Sequence, residues 1–162
     1  MIQNTKRLSQ KDFENIYTRV PRLCVDLVIK MDGGVILSLR SIEPYRDWWH
    51  LPGGTVYFRE RLHDAVRRVA LDECGIEVRV VKMLNYIEYP SYEQFPGEGN
   101  PVSIAFLCQV TGGKLRGSDQ GEEVRAFKIL PEKLIPEQKE FLEKVNFLEL
   151  RKGLEMAKEL FG

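Results

Sequence analysis

The sequence predicts an α/β fold built on a mixed β-sheet, and three observations carry that prediction. Apolar residues recur at helical spacing in two separated segments, about 61–74 and the stretch after Pro136. β-rich stretches at 76–90, 101–111 and 122–130 lie between them, and their placement suits mixed or antiparallel pairing better than a repeating βαβ sheet. The length of 162 residues fits one domain, 1–162, that buries roughly two thirds of its unfolded surface.

Each element has a local reason. Ser9 can cap a short helix beginning near Gln10, with Asp12 in the first turn, where the helix dipole favours negative charge. Leu23, Val25, Leu27 and Ile29 then alternate with Cys24, Asp26 and Val28, and Asp32-Gly33-Gly34 permits a tight turn before Val35-Ile36-Leu37, so a β-hairpin is expected. Leu62, Ala65, Val66, Val69 and Ala70 mark one helix face and stop before Gly75, which suits a left-handed helix end. Phe141, Val145, Leu148, Leu154, Ala157 and Leu160 predict a C-terminal amphipathic helix over one sheet face, weakened at Gly153. Ser91 to Pro101 reads as the one long loop, either a surface connection or a flap over a ligand.

Composition narrows the function. Lys plus Arg and Asp plus Glu both number 24, so no global field attracts nucleic acid or an anionic membrane. No apolar run reaches the roughly 18 residues of a membrane span, and the start lacks the apolar core of a secretion signal, so a cytoplasmic protein is expected. Cys24, Cys74 and Cys108 are odd in number and widely spaced, which predicts buried free thiols and not a disulfide scaffold or thiolate zinc site. The Arg59, Arg61, Arg67, Arg68 cluster reads as a solvated helix face with phosphate contacts, and Trp48-Trp49 as packing beneath a glycine turn.

Asp72 and Glu73 occupy the last turn of the 61–74 helix, where the dipole disfavours negative charge by about 0.3 to 1 kcal/mol each. At about 100 degrees per residue Glu73 extends the apolar stripe of Leu62, Val66 and Val69, so its carboxylate faces inward. A hard divalent cation would offset both costs; an ordinary glutamate bending into water is the competing explanation. Ahead of the helix, Leu51-Pro52-Gly53-Gly54-Thr55 offers a turn whose backbone can approach a cation or phosphate.

The spacing Gly54-x5-Glu60-x7-Arg68-Val69-Ala70-Leu71-Asp72-Glu73-Cys74-Gly75-Ile76 resembles the Nudix box, G-x5-E-x7-R-E-U-x-E-E-x-G-U with U a bulky aliphatic residue, over 54–76. The resemblance implies an α/β/α sandwich around a mixed sheet, Mg2+ or Mn2+ beside the catalytic helix, and hydrolysis of a nucleoside diphosphate derivative. Glu73 falls on a family ligand position, and Asp72 takes the first place of the acidic pair. Val69 replaces the first glutamate of the R-E-U segment, and a valine can neither hold metal nor activate water.

The GDP-mannose mannosyl hydrolase branch similarly lacks that glutamate. This chain resembles it over roughly residues 8 to 130, through Leu8-Ser9-Gln10-Lys11-Asp12-Phe13, Cys24-Val25-Asp26-Leu27, Leu39-Arg40-Ser41 and Trp48-Trp49-His50-Leu51-Pro52-Gly53-Gly54. The resemblance implies that the Gly53 carbonyl, the Glu73 carboxylate and the Gln120 side-chain oxygen hold one Mg2+, that Asp26 faces sugar or nucleotide, and that Arg40 and Arg68 bind diphosphate. The branch's general-base histidine, directly after its metal-binding glutamine, is Gly121 here, and its arginine after the paired glycines is Thr55. Glu122, with Glu123 second, is the candidate replacement base, while Arg68 pairing with Glu60 or Asp72 and Asp26 satisfying backbone donors remain open. His50 and His63 are poorer candidates.

The expected protein is therefore a metal-dependent hydrolase of a nucleotide sugar that releases sugar and nucleoside diphosphate. The alternatives are a general Nudix pyrophosphatase that cleaves the phosphoanhydride, and a degenerate domain that binds nucleotide without turnover. The amino-terminal helix resembles one exchanged between dimeric relatives, so a homodimer is among the expected states.

Overall fold

The computed structural model describes residues 7–118, 121 and 123–145. Helix α1 (Gln10–Tyr17) starts as expected, with the Ser9 hydroxyl accepting from the Asp12 backbone N–H at 3.1 Å. Strands β1 (Pro21–Met31) and β2 (Gly34–Leu39) form the expected hairpin, with Lys30 opposite Val35. Its turn places Asp32 and Gly33 at φ of 53° and 75°, the pair of positive angles that matches strand twist.

Two short strands follow, β3 (Trp49–His50) and β4 (Gly53–Thr55), too brief to leave a period in the sequence. Helix α2 (Leu62–Cys74) ends where expected: Gly75 adopts φ 69° and its N–H donates to the Leu71 carbonyl. Strands β5 (Ile76–Glu88), β6 (Asn100–Gly113) and β7 (Glu123–Phe127) complete the sheet, and helix α3 (Pro136–Lys144) begins at the expected proline. The run from Leu148 through Leu160 lies outside the described residues. The segment read as one loop from Ser91 to Pro101 is partly regular: a 3-10 helix spans Pro90–Gln94 because Tyr92 buries its ring there, and β6 has begun by Asn100.

Among the described residues the sheet has seven strands in the order β3-β2-β1-β6-β5, with β4 added to β1 and β7 to β2. β1 and β6 run parallel and the other pairs antiparallel, so the sheet is mixed. Central β1 is buried continuously from Cys24 to Ile29, because both faces of the sheet are covered. Val25, Leu27 and Ile29 pack under Ala65, Val66, Val69 and Ala70 of α2. Val28 and Leu37 pack with Leu134, Ile135, Phe141 and Leu142 on the α3 side. The result is the expected α/β/α sandwich.

Trp49 is a packing residue, its ring 4.5 Å from that of Phe127, and all three cysteines are buried and free. Arg67 pairs with Asp64 at 2.9 Å on an exposed helix face, as the arginine cluster suggested. No helix among the described residues is long and apolar enough to cross a membrane.

Candidate active site

The site forms where β4 lies on β1, with Gly53 opposite Asp26 and Gly54 opposite Val25. A Cβ on Gly53 would collide with the Asp26 carboxylate and stand 2.9 Å from the Val25 carbonyl oxygen, so only glycine allows this approach. The paired strands press the glycine turn onto the carboxyl end of α2. There the Glu73 carboxylate accepts from the Gly53 N–H at 3.2 Å.

Glu73 is half-buried at the wall of a cavity of about 1160 Å3 that Asp26, Arg40, Gly53, Arg68 and Asp72 also line. Six predicted site residues are thus brought to one cavity, whereas Glu123, the second candidate base, does not line it and lies 3.4 Å from the Arg125 guanidinium; Gln120 and Glu122 lie outside the described residues. Burial pushes the Glu73 carboxyl up to about 8; the Gly53 hydrogen bond and the Arg40 charge oppose this, and Asp26 and Asp72 add to it. Asp72 is exposed at the rim. Val69, at the place of the family's missing glutamate, is 2% exposed in the core beneath α2.

Arg68 pairs with Glu60, one of the two partners left open by the sequence. Its Nε and Nη2 donate to the two Glu60 oxygens at 2.7 and 2.9 Å, Nη2 also donates to the Thr55 carbonyl at 2.9 Å, and the guanidinium lies 3.8 Å from the Tyr57 ring centroid. Burial alone would raise the Glu60 carboxyl, yet the bonds from Arg68 and the Tyr57 N–H hold it below its ordinary value. Arg68 therefore fixes the segment between β4 and α2 while bordering the cavity. Arg40 is anchored through Nε, which donates to the Pro44 carbonyl at 2.6 Å.

His50 is buried with Nδ1 2.7 Å from the Leu51 carbonyl, so Nδ1 carries the proton. Burial and the neighbouring Arg40 charge push the imidazole down to about 3, which keeps it neutral and a weak base, in line with its low standing from sequence. His63 packs its ring 5.7 Å from Phe106. Gly121 bridges to Ser118, its N–H donating to the Ser118 carbonyl at 3.2 Å, and a Cβ there would collide with the Ser38 hydroxyl. A histidine would have no room at that place in this arrangement.

Asp26 is 4% exposed and accepts a hydrogen bond from the Tyr89 hydroxyl. Burial pushes its carboxyl up to about 6 against the hydrogen bonds from Tyr89 and Ser103. Behind it, buried Gln138 of α3 donates from Nε2 to the Tyr89 oxygen at 2.9 Å and accepts from the Leu51 N–H at 2.7 Å. Sequence reasoning missed Tyr89 and Gln138. Gln138 did leave a signal, because it sits three residues before Phe141 on the apolar stripe of α3, a place where a polar side chain needs buried partners.

The donor set suits a hard cation. Glu73 offers a carboxylate whose charge is under-compensated, next to Asp72 and the glycine turn. Among the described residues no three His, Cys, Asp or Glu side chains converge into a ready cage, so most of the shell would come from water and phosphate oxygens, as Mg2+ sites on phosphate substrates commonly arrange.

The shifted carboxyl makes a stability prediction. Folded Glu73 keeps its proton up to about 8 and unfolded Glu73 only to about 4.5, so between these values the folded state binds more protons and stability falls as pH rises. Asp26 acts in the same direction below about 6, and His50, lowered from 6.5 to about 3, acts oppositely below 6.5. From pH 6.5 to 8 Glu73 therefore dominates. Urea unfolding in chelator is expected to show metal-free stability dropping by up to about 1.4 kcal/mol per pH unit across that window, a slope that Glu73→Gln flattens. A wild-type protein equally stable at both ends would contradict the burial argued for this carboxyl.

Comparison with known proteins agrees with this architecture. The family model described as NUDIX domain matches residues 20–150. The chain is 34% identical over 146 residues to low-salt glycan biosynthesis protein Agl8 of Haloferax volcanii, covering 88% of this chain and 93% of that one. It is 32% identical over 109 residues to an ADP-ribose pyrophosphatase of Methanocaldococcus jannaschii, covering 67% of this chain and 63% of the relative. Among solved structures, a MutT NUDIX hydrolase from Burkholderia pseudomallei superposes with a TM-score of 0.68 at 26% identity, covering 78% of this chain and 99% of the other.

Proposed function

Because the chain belongs to the Nudix hydrolase family, whose members act on nucleoside diphosphate derivatives and generally use divalent metals, we propose that it hydrolyses a nucleotide sugar to sugar and nucleoside diphosphate. The observation that carries this reading is the Glu73 carboxylate bound to the Gly53 N–H at the wall of a cavity that also holds Asp26 and Arg40. Two features support the finer substrate class. Val69 is core, so the family's extra carboxylate is missing here as in the mannosyl hydrolase branch, and the relative from Haloferax volcanii carries glycan biosynthesis in its name.

In this reading Glu73, Asp72, the Gly53 carbonyl and Gln120 hold Mg2+ or Mn2+, which supplies positive charge against the diphosphate when bound. Arg40 neutralises further phosphate charge, and Arg68 adds to it while keeping the Thr55 segment in place. Asp26 accepts a hydrogen bond from a sugar hydroxyl. Water attacks the anomeric carbon, its proton passes to Glu122, and the bond from that carbon to the diphosphate oxygen breaks, with nucleoside diphosphate leaving.

Attack at phosphorus is the second reading, favoured by the similarity to an ADP-ribose pyrophosphatase. Hydrolysis of GDP-mannose, UDP-glucose and ADP-ribose in 18O-labelled water with Mg2+ separates them. Label in the released sugar is the expected result; label in a phosphate product would overturn carbon attack.

A further inference from the structure

The polar chain behind Asp26 has a direction, and the direction is fixed by groups that can act in only one way. The Leu51 backbone N–H can only donate, so the Gln138 atom that meets it at 2.7 Å is the carbonyl oxygen. The other end of the same amide is then the NH2 group, which donates to the Tyr89 oxygen at 2.9 Å. With that donor seated on it, the Tyr89 hydroxyl gives its own proton to Asp26 Oδ2. Gln138 is 3% exposed and Tyr89 5%, so water does not compete for these bonds.

The chain starts at Leu51, which opens the turn Leu51-Pro52-Gly53-Gly54, and ends on the carboxylate lying against Gly53. It ties the residue between β5 and the 3-10 helix, α3 and the glycine turn to one side chain of β1. Tyr89 donates to Oδ2 and Ser103 also bonds the carboxylate, while Oδ1 is the atom beside Gly53 in a carboxylate that lines the cavity. We propose that Tyr89 and Gln138 are positioning residues that lock Asp26 so that Oδ1 accepts a hydrogen bond from a hydroxyl of the substrate's sugar, making this relay a determinant of substrate discrimination.

The inference rests on the nucleotide-sugar reading for its ligand and on the hydrogen-bond chain for its mechanism, and the test keeps the two apart. Crystal structures of the wild type, Tyr89→Phe, Gln138→Leu and Gln138→Glu give the Asp26 rotamer without any ligand. Steady-state kinetics with Mg2+ on GDP-mannose and on the nucleotide sugar that the wild type turns over fastest give KM and kcat. The expected result is a changed or split Asp26 rotamer in all three variants. KM should rise roughly ten- to a hundredfold, the cost of a lost hydrogen bond to a charged group, with kcat changed less.

Gln138→Glu is the discriminating variant. It keeps the volume and the acceptor for Leu51 but removes the donor to Tyr89, so the phenol proton is contested between two carboxylates. A purely structural role predicts normal KM for this variant and for Tyr89→Phe, whatever happens to their stability, and that outcome would overturn the proposal. An unchanged Asp26 rotamer in Gln138→Leu would overturn it even if no nucleotide is hydrolysed. Absence of wild-type turnover together with the expected rotamer change would reject the substrate reading, and with it the discrimination role, while upholding the lock on Asp26.

Discussion

Glu73→Gln is expected to lower metal-dependent turnover by roughly a hundredfold or more while raising the metal-free stability at pH 8. The two effects have one cause. Glutamine keeps the length of the side chain and an oxygen that can accept from the Gly53 N–H, so the contact between α2 and the glycine turn at 3.2 Å can persist. What disappears is a negative charge that burial disfavours, near Asp26 and Asp72, with Arg40 as the favourable charge beside it. Stability gains from that loss, and cation binding suffers. Loss of activity in a better-folded protein separates a functional carboxylate from a structural one. Near-normal turnover and metal affinity in this variant would contradict its role as a ligand.

Glu60→Ala is expected to cost about 2–3 kcal/mol and to lower the melting temperature by roughly 5–10 °C. The Glu60 side chain is 7% exposed and Arg68 24%, so removal of the carboxylate leaves a cation in a poorly solvated place. The damage passes along the chain as well, because the same guanidinium holds the Thr55 carbonyl and lies over Tyr57. Activity should fall with stability, since Thr55 ends the strand that begins at Gly53. The pair Glu60→Leu with Arg68→Met should recover much of the stability without the activity. If thermal unfolding finds the double replacement as unstable as Glu60→Ala, desolvation of an unpaired arginine is not the cause.

What was legible in the sequence had a local cause. The apolar period of α2 and the glycine after it placed a helix to within a residue, and the acidic pair at its last turn stood out because local stability opposes it. Asp26 was singled out on a strand whose alternation gave no sign of its burial; it lines the cavity, and β1 is covered on both faces. The rest depended on distance along the chain. β3 and β4 are two and three residues long and exist only because β2 and β1 offer them edges. Tyr89 and Asp26 are 63 positions apart, and Gln138 and Leu51 are 87 apart, so nothing short of the folded sheet brings them into one chain of hydrogen bonds. Gly121 shows the reverse case: the sequence said no base stands there, and packing against Ser38 supplies the reason.

The catalytic proposal depends most on a hard divalent cation being held by the Glu73 carboxylate beside the Gly53 turn. Crystals soaked in Mn2+ with a nucleoside diphosphate test it most directly, through anomalous diffraction at the manganese edge. The expected result is a peak within inner-sphere distance, roughly 2.0–2.3 Å, of a Glu73 oxygen and bridged to the diphosphate. Diphosphate bound in the cavity with no anomalous peak at Glu73, or a peak held only by other residues, would contradict it.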